Sequence, residues 1–336
     1  LLGSATPSFE SYYNTMNEKY GLVELHNRFG GVQRPEILFA DLKEARKRKQ
    51  MMAAFTPLLK DAMDEVLAEK GQIILFQNRR GYAPYLTCAS CNWIPYCKNC
   101  DVSLTYHKFT EDLRCHYCGY RENVVHRCRQ CKSPQMELRG MGTERIEDDI
   151  KLLFPEAKVG RMDYDTVKNK HGHEKIIAKL ESGAIDILVG TQIVTKGLDF
   201  EKVKLVGVLN ADALLYYPDF RSLERAYQML QQVSGRAGRK KDRGKVIIQL
   251  SDVTHPIALY LQQENGYQNL FRKDMLERQA FKYPPYLRLL KVVFKHKDYT
   301  VVEKGAQLLA QNLRKKWGRR ITVSYTHLRA HETTSH

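Results

Sequence analysis

All eight cysteines of this 336-residue chain lie between positions 88 and 131, and they form four Cys-x-x-Cys pairs. Two intervening residues allow both thiols of a pair to turn toward one point, where they can fill two corners of a tetrahedron around Zn²⁺. Four pairs supply the ligands of two four-cysteine sites, which have no open coordination position and should therefore be structural. The pairs are Cys88/Cys91, Cys97/Cys100, Cys115/Cys118 and Cys128/Cys131.

The spacing alone does not define which pairs share an ion, so adjacent, nested and interleaved pairing all remain open. Disulfide bonds are one alternative to metal, but we expect a cytoplasmic chain, whose thiols are kept reduced. Redox-active Cys-x-x-Cys motifs are another alternative, but they occur singly rather than in four copies. Three nearby histidines are not needed as ligands, because eight thiols already fill two tetrahedra: His107, His116 and His126.

Outside the cysteine region, short apolar runs alternate with amphipathic helical patterns. This alternation predicts an α/β fold with a doubly wound parallel sheet, interrupted by the cysteine-rich insertion. The basic segment from Lys43 to Lys49 is predicted to be a linker or exposed turn. Strands are predicted at 22–26, 36–40, 73–76, 158–163, 185–190, 204–209 and 245–250, and helices from Pro57, from Thr143, over 173–181 and over 223–233.

The chain carries a formal charge of +16, with 54 basic and 38 acidic residues. Such an excess suits a polyanionic partner, because each phosphate contact releases condensed counterions. A well-solvated basic surface without such a partner is the alternative. No apolar run approaches the ~20 residues that span a bilayer, and no basic-then-apolar leader opens the sequence. We therefore expect a soluble cytoplasmic chain with no membrane partner.

Residues 232–239 read QVSGRAGR. Arg236 and Arg239 stand three residues apart beside glycines, so they can place two guanidinium groups on a polyphosphate, as an arginine finger does in phosphoryl transfer. The alternative is a solvated basic loop. The segment is therefore a candidate nucleotide contact.

Three further segments adjoin predicted strands. GTQIVTKGLD (190–199) ends one strand, and loops at the carboxyl ends of parallel strands are where α/β proteins bind ligands. In it, Thr191 and Gln192 offer donors to phosphates and Lys196 adds charge. NRRGY (78–82) follows another predicted strand, and GSATPS (3–8) has the small hydroxyl residues that suit a switch loop.

In sequence and order, GSATPS, NRRGY, GTQIVTKGLDF and QVSGRAGR resemble the later motifs of superfamily 2 helicases. The run NRRGYAP before the cysteine pairs narrows the resemblance, as do GTERIEDDI, LNAD, YPDFR and YPP. Over residues 1–322 the chain is similar to the primosomal protein N′ (PriA) family of replication-restart DNA helicases. A zinc insertion between two helicase motifs is not a general helicase feature.

This resemblance implies a RecA-like parallel-sheet helicase lobe with an inserted Cys-rich two-zinc subdomain. It also implies a division of the chain into segments. They are the end of a first RecA-like lobe (1–42), the second lobe (55–86 and 132–258), the zinc-binding insertion (87–131) and the start of a C-terminal domain (281–322).

The resemblance further implies nested zinc pairing, with Cys88, Cys91, Cys128 and Cys131 on one ion and Cys97, Cys100, Cys115 and Cys118 on the other. It implies ATP contacts from the QVSGRAGR segment, with Arg239 as the arginine finger. The complete set of implied roles is Gln232, Arg236 and Arg239 for ATP, Gly197 and Asp199 on the ATP side, and Thr191, Gln192, Lys196 and Arg79 facing DNA.

By the same resemblance, the parent protein is an ATP-dependent 3′→5′ DNA helicase that uses Mg²⁺, acts on branched DNA, and meets primosome proteins and single-stranded-DNA-binding protein. The sequence contains no G-x-x-x-x-G-K-[ST] loop and no D-E-x-H box, which we expect to precede Leu1. We therefore expect this chain alone not to hydrolyse ATP. The alternative function is a zinc-dependent DNA- or protein-binding module without catalysis.

Residues 323–336 (VSYTHLRAHETTSH) show neither a helical nor a strand period. They resemble a translated sequencing adapter, so we exclude them from fold reasoning as an artefact. The alternative is a genuine, polar, disordered tail.

Overall fold

The structure is a computed structural model, and it divides into two compact units. Unit 1 comprises Leu1–Gly81 and Gly142–Leu289, and unit 2 comprises Tyr82–Met141 and Leu290–His336. The residues that the structure describes are 3–25, 33–77, 85–88, 90–91, 93–98, 104–107, 110–115, 120–139, 143–162, 172–191, 200, 202–215, 219–237, 243–290, 292, 294, 296 and 298–318.

The strands are short and the helices run from one to five turns. The strands are β1 Glu36–Asp41, β2 Gln72–Phe76, β3 Tyr85–Cys88, β4 Thr105–His107, β5 Asp112–Arg114, β6 Arg121–Asn123, β7 Met136–Arg139, β8 Val159–Met162, β9 Ile187–Gly190, β10 Val203–Val208 and β11 Lys245–Leu250. The helices are α1 Phe9–Met16, α2 Leu42–Lys47, α3 Pro57–Ala68, α4 Thr143–Leu153, α5 Gly172–Glu181, α6 Asp212–Leu215, α7 Ser222–Ser234, α8 Pro256–Gln262, α9 Gly266–Ala280 and α10 Tyr299–Trp317.

Unit 1 is built on a six-stranded sheet in the order β1-β11-β10-β2-β9-β8. Every adjacent pair is parallel, which confirms the predicted α/β fold class. The central strands are apolar on both faces, as parallel strands covered by helices on two sides must be, and all five residues of β2 are buried. Phe76, Val208 and Ile248 belong to one apolar core that also includes residues of α1, α7 and α9.

Local sequence accounts for the starts of α2 and α3. In α3, Pro57 occupies the first turn, where its missing N–H costs nothing, and Ala62, Met63 and Val66 are buried. Leu58 of the same helix is exposed. Asp41 caps α2 by accepting a hydrogen bond from the N–H of Glu44 at 2.8 Å.

Three sequence predictions differ from the structure. The described residues of the predicted strand at 22–26 form no strand, and Leu25 is 91% exposed. The basic segment predicted as a linker contains α2, because Leu42 and Ala45 are buried on its inner side. β1 pairs with β11 in the six-stranded sheet, whereas the resemblance assigned residues 1–42 to the end of a first lobe.

Unit 2 contains a two-stranded antiparallel ribbon of β3 and β7 and a three-stranded antiparallel sheet in the order β4-β5-β6. Its small core includes Leu86, Leu104 and Leu113 together with Cys97 and Cys115. Among the described residues of either unit, no helix is both long enough and apolar enough to span a membrane.

Candidate metal centre and motif residues

The outer two cysteine pairs come together at the end of the β3–β7 ribbon. Cys88 ends β3 and lies opposite Met136 at the start of β7, which places the first pair beside the pair that precedes β7. The four sulfurs all lie within 4.8 Å of one another. The sulfurs of Cys88 and Cys131 are 3.5 Å apart, as are those of Cys91 and Cys128.

These distances fit a metal rather than disulfides. A disulfide requires about 2.05 Å between sulfurs, whereas tetrahedral Zn²⁺ with bonds of ~2.3 Å separates its ligands by about 3.8 Å. The described cysteines are free thiols. All four ligands are sulfur, a soft donor set that suits Zn²⁺ and leaves no position for substrate or water. The cluster can therefore fold this part of the chain around an ion, but it cannot activate a water molecule.

The local backbone forms the turns that metal-binding cysteine pairs require. Among the described residues, the N–H of the first cysteine of three pairs donates to the carbonyl five residues later, which closes the turn around the pair. The N–H of Cys131 also points at the Cys128 sulfur, 3.4 Å away. The three closing bonds are Cys88 to Trp93 (2.8 Å), Cys115 to Tyr120 (2.8 Å) and Cys128 to Ser133 (2.9 Å).

These turns also favour thiolates, the form that binds zinc. Burial raises the pKa of the Cys88 thiol, but N–H donors of Cys91 and Ser90, with neighbouring thiols, lower it to about 6. The pKa of Cys128 is lowered in the same way. The N–H of Trp93 lowers the pKa of Cys91, but burial and contacts with the other three sulfurs raise it further. A cation would remove this opposition between neighbouring thiolates.

The inner pairs are only partly described. Cys97 and Cys115 are buried in the same small core of unit 2, while Cys100 and Cys118 lie outside the described residues. Cys115 has the turn closure found in the two outer pairs. The structure thus brings together the four cysteines that the resemblance assigned to one ion, and it places one member of each inner pair in a common core.

The predicted DNA-facing residues fall largely outside the described part of the chain. Thr191 is described: it is buried directly after β9, and its N–H donates to the carbonyl of Met162 at 3.2 Å. It therefore stands at the carboxyl edge of the sheet, where the sequence predicted a ligand loop. Outside the described residues lie Arg79, Gln192, Lys196, Gly197 and Asp199.

The predicted ATP contacts are carried by α7 and the turn after it. Gln232 is exposed in the last turn of α7, Arg236 is half-buried just beyond it, and Arg239 lies outside the described residues. Because β10 and β11 are adjacent parallel strands, the connection through α7 returns the chain to the amino end of β11. The structure therefore does not bring Arg236 together with Thr191, which stands at the opposite edge of the sheet.

A buried ionic cluster on α7 and α9 was not predicted from the sequence. Arg278 of α9 is almost fully buried, and it contacts Glu224 at 2.6 Å, Glu10 at 3.1 Å and Asp274 at 2.6 Å. Its guanidinium also lies over the ring of Phe9, 5.2 Å from the centroid. The Arg278–Asp274 contact lacks hydrogen-bond geometry, since neither facing atom has a hydrogen-bond partner. Burial raises the pKa of Asp274 to about 6 despite the attraction of Arg278.

Side chains of α7 and α9 also bind the backbone of the GSATPS segment. Gln228 donates from Nε2 to the carbonyls of Thr6 at 3.2 Å and Pro7 at 3.1 Å. The hydroxyl of Tyr267 donates to Pro7 at 2.9 Å, and burial together with the charge of Glu224 raises its pKa, which keeps this donor protonated. The available sequence signal was a spacing of four residues along α7, which places Glu224, Gln228 and Gln232 along one side of the helix, with Arg236 four residues further on, beyond its end.

The parallel-sheet lobe carries an inserted four-cysteine cluster suited to a structural metal ion, and a family match identifies the lobe as a helicase C-terminal domain. The helicase conserved C-terminal domain family matches residues 138–241. The Cys-rich region (CRR) domain family of PriA DNA helicases matches residues 97–122. The first match includes β8, β9, β10 and α7, and the second spans the two inner cysteine pairs.

The replication restart protein PriA of Bacillus subtilis is 40% identical over 318 residues, which are 95% of this chain and 39% of that protein. PriA of Synechocystis is 37% identical, over 92% of this chain and 38% of that protein. RecG bound to a three-way DNA junction, a solved structure, has a TM-score of 0.41 at 10% identity and covers 83% of this chain and 26% of its own. The chain belongs to the PriA family of replication restart proteins, and it spans about two fifths of the length of these curated relatives.

Proposed function

We propose that this chain is part of an ATP-dependent 3′→5′ DNA helicase that recognises and unwinds branched DNA to restart replication. The chain supplies the lobe that carries the QVSGRAGR segment, and the remainder of the full-length protein supplies the phosphate-binding loop and the Mg²⁺ carboxylates. The observation that carries the proposal is the four-cysteine cluster inserted between β2 and α4 of a helicase C-terminal lobe. Primosome proteins and single-stranded-DNA-binding protein are the proposed protein partners.

The proposed roles of the motif residues follow the two edges of the sheet. At the amino edge of β11, Gln232, Arg236 and Arg239 contact ATP, with Arg239 as the arginine finger. At the carboxyl edge, the loop that begins at Thr191 contacts the DNA backbone. Gln192 and Lys196, which follow Thr191 in the sequence, are proposed to contact DNA as well, as is Arg79 after β2, whereas Gly197 and Asp199 are proposed to serve the ATP side.

The proposal includes two structural Zn²⁺ ions. Cys88, Cys91, Cys128 and Cys131 hold the first, which the 4.8 Å sulfur cluster supports. Cys97, Cys100, Cys115 and Cys118 hold the second, which the shared core of two of them and the turn closure at Cys115 support. Each ion would join turns that the chain's short strands cannot hold by themselves.

The test is an ATPase and strand-displacement assay on a full-length protein that carries this chain. Arg239→Ala should lower DNA-stimulated ATP hydrolysis about 1000-fold, because an arginine finger acts mainly in the transition state. Arg243→Ala is the matched control, since Arg243 donates to the carbonyl of Arg34 instead. Forked substrates with a 3′ tail should be unwound in preference to those with a 5′ tail.

Two outcomes would contradict the proposal. Unchanged hydrolysis in the Arg239→Ala variant would remove the arginine-finger assignment. DNA binding without any DNA-stimulated ATPase in the full-length protein would favour the competing function, a zinc-dependent binding module, which the charge of +16 also suits.

A further inference from the structure

The path of the GSATPS segment is fixed through its main chain. Gln228 donates to two successive carbonyls, Thr6 and Pro7, and Tyr267 donates to Pro7 as well. At the first residue of α1, the N–H of Phe9 donates to a carboxylate oxygen of Glu224 at 2.8 Å. Backbone contacts of this kind hold the position of a segment irrespective of its own side chains.

The helix that makes these contacts is also the helix that leads to the candidate ATP residues. Glu224, Gln228 and Gln232 follow at intervals of four, which places them along one side of α7, and Arg236 comes four residues later. The stripe begins fully buried at Glu224 and ends exposed at Gln232. One side of α7 thus binds the GSATPS backbone at its beginning and presents Gln232 at its end.

The buried end of the stripe is held rigidly. Glu224 receives hydrogen bonds from the Phe9 N–H and from Arg278, and Arg278 also binds Glu10 of α1. Arg221 reinforces this attachment with two contacts to Glu10, at 2.7 and 3.0 Å. A displacement of residues 6–10 therefore has to break charge-assisted hydrogen bonds or move α7 with it.

We propose that Gln228 is a positioning residue for the ATP-dependent reaction: by holding the carbonyls of Thr6 and Pro7, it couples the GSATPS segment to the helix that carries Gln232 and leads to Arg236. This role rests on the proposed helicase function. Gln228 touches neither ATP nor DNA in this assignment and acts through α7. The contacts connect residues more than 200 positions apart, so no local sequence pattern produces them.

The test uses Gln228→Met in a full-length protein that carries this chain. Methionine keeps the length and helix propensity of the side chain but cannot donate to the two carbonyls. The matched control is Gln231→Met, since Gln231 lies on the same helix and donates to the hydroxyl of Tyr227 instead. Two quantities are measured: steady-state DNA-stimulated ATP hydrolysis, and hydrogen exchange of the amides in residues 9–16.

We expect Gln228→Met to lower kcat about tenfold with little change in the KM for ATP, because the misplacement affects the reacting geometry rather than binding. Amides of α1 should exchange about tenfold faster in this variant. The control should change neither quantity.

Faster exchange with unchanged kcat would overturn the positioning role, because the contacts would then be purely structural. Unchanged exchange would show that Gln228 does not hold the segment in solution and would overturn it as well. Absence of DNA-stimulated ATPase in the unsubstituted protein would instead overturn the proposed function, and the positioning role with it. Exchange in α1 distinguishes these cases, since it does not depend on catalysis.

Discussion

Each of the four clustered sulfurs takes part in hydrogen bonds, but four thiolates this close together would repel one another. The N–H groups in the turns at Cys88 and Cys128 favour thiolates, while burial and the three neighbouring sulfurs raise the pKa of Cys91 against the N–H of Trp93, which lowers it. Four thiolates within 4.8 Å are therefore compatible only beside a cation.

Replacement of one ligand should accordingly remove one ion. We expect Cys128→Ser to lower the zinc content of the purified chain from two ions to one, measured by native mass spectrometry without chelator. Ser90→Ala is the control, because Ser90 bonds to Ser133 beside the cluster but offers no sulfur. Retention of two ions in the Cys128→Ser variant would contradict the assignment.

A second residue-scale prediction concerns Asp274. Burial raises the pKa of Asp274 from 3.8 to about 6, so the folded chain holds a proton there that the unfolded chain has released between these values. This bound proton adds to the free energy of unfolding. The addition is fully present below the unfolded pKa of Asp274 and is lost as pH rises through about 6.

Asp274→Asn should therefore stabilise the chain more at pH 7.5 than at pH 5, by about 1–2 kcal/mol in the difference between the two pH values. The measurement is urea unfolding of variant and parent at both values. Asp64→Asn, which removes an exposed carboxylate paired with Lys60, controls for the general loss of negative charge. A difference that is equal at both pH values, or larger at pH 5, would contradict the prediction.

At the scale of elements, the hydrophobic periodicity of the sequence predicted which segments form buried strands and helices. It did not predict which elements pack or pair with one another. The runs at 73–76 and 245–250 are apolar enough to require a covered sheet, and both form central or near-central strands. The run at 22–26 has similar residue types, yet Val23 is 86% exposed. An apolar run becomes a strand only when another strand pairs with it. The helix α2 was not predicted, because charged residues dominate its segment. Its buried positions are three residues apart, as on one side of a helix.

The candidate site likewise combines features that local sequence determines with features that depend on tertiary packing. Cys-x-x-Cys spacing is a local constraint, so the sequence indicated the metal centre, although it left the pairing of turns open. The hydrogen bonds from Gln228 to the GSATPS backbone depend on the packing of α1 against α7 and α9, and so does the buried Arg278 cluster. Such contacts are set by tertiary structure and leave only the spacing of α7 as a signal.

The junction of α8 and α9 provides an element-scale test. A Cβ atom at Gly266 would lie 1.7 Å from the carbonyl oxygen of Tyr260, so the backbone of one helix would have to move. Gly266→Ala should lower the free energy of unfolding by about 3 kcal/mol or more, measured by urea unfolding. Gly305→Ala is the control: its Cβ meets only ring atoms of Phe294 at 3.6 Å or more, and alanine is favoured in a helix interior. Equal stabilities of the two variants would contradict the close packing at this junction.

At the scale of the whole molecule, the two units differ in what stabilises them. Unit 1 has an extensive apolar core around six parallel strands. Unit 2 has strands of three or four residues and a core that includes two cysteines. Small sheets of this kind are marginal in water without further support, and structural zinc contributes about 10–16 kcal/mol in small zinc-binding peptides.

Removal of metal should therefore unfold unit 2 and leave unit 1 folded. Both tryptophans of the chain, Trp93 and Trp317, belong to unit 2, so tryptophan fluorescence reports that unit separately. On incubation with a chelator, we expect the emission to shift to that of exposed indole, while the far-ultraviolet signal of the parallel α/β unit still melts cooperatively on heating. Addition of Zn²⁺ should restore the emission, since binding and folding are linked. If chelation removed both signals together, the sheet of unit 1 would depend on the metal centre, and the two units would not be independent in stability. If chelation left the fluorescence unchanged, the four-cysteine cluster would not be what holds unit 2 together.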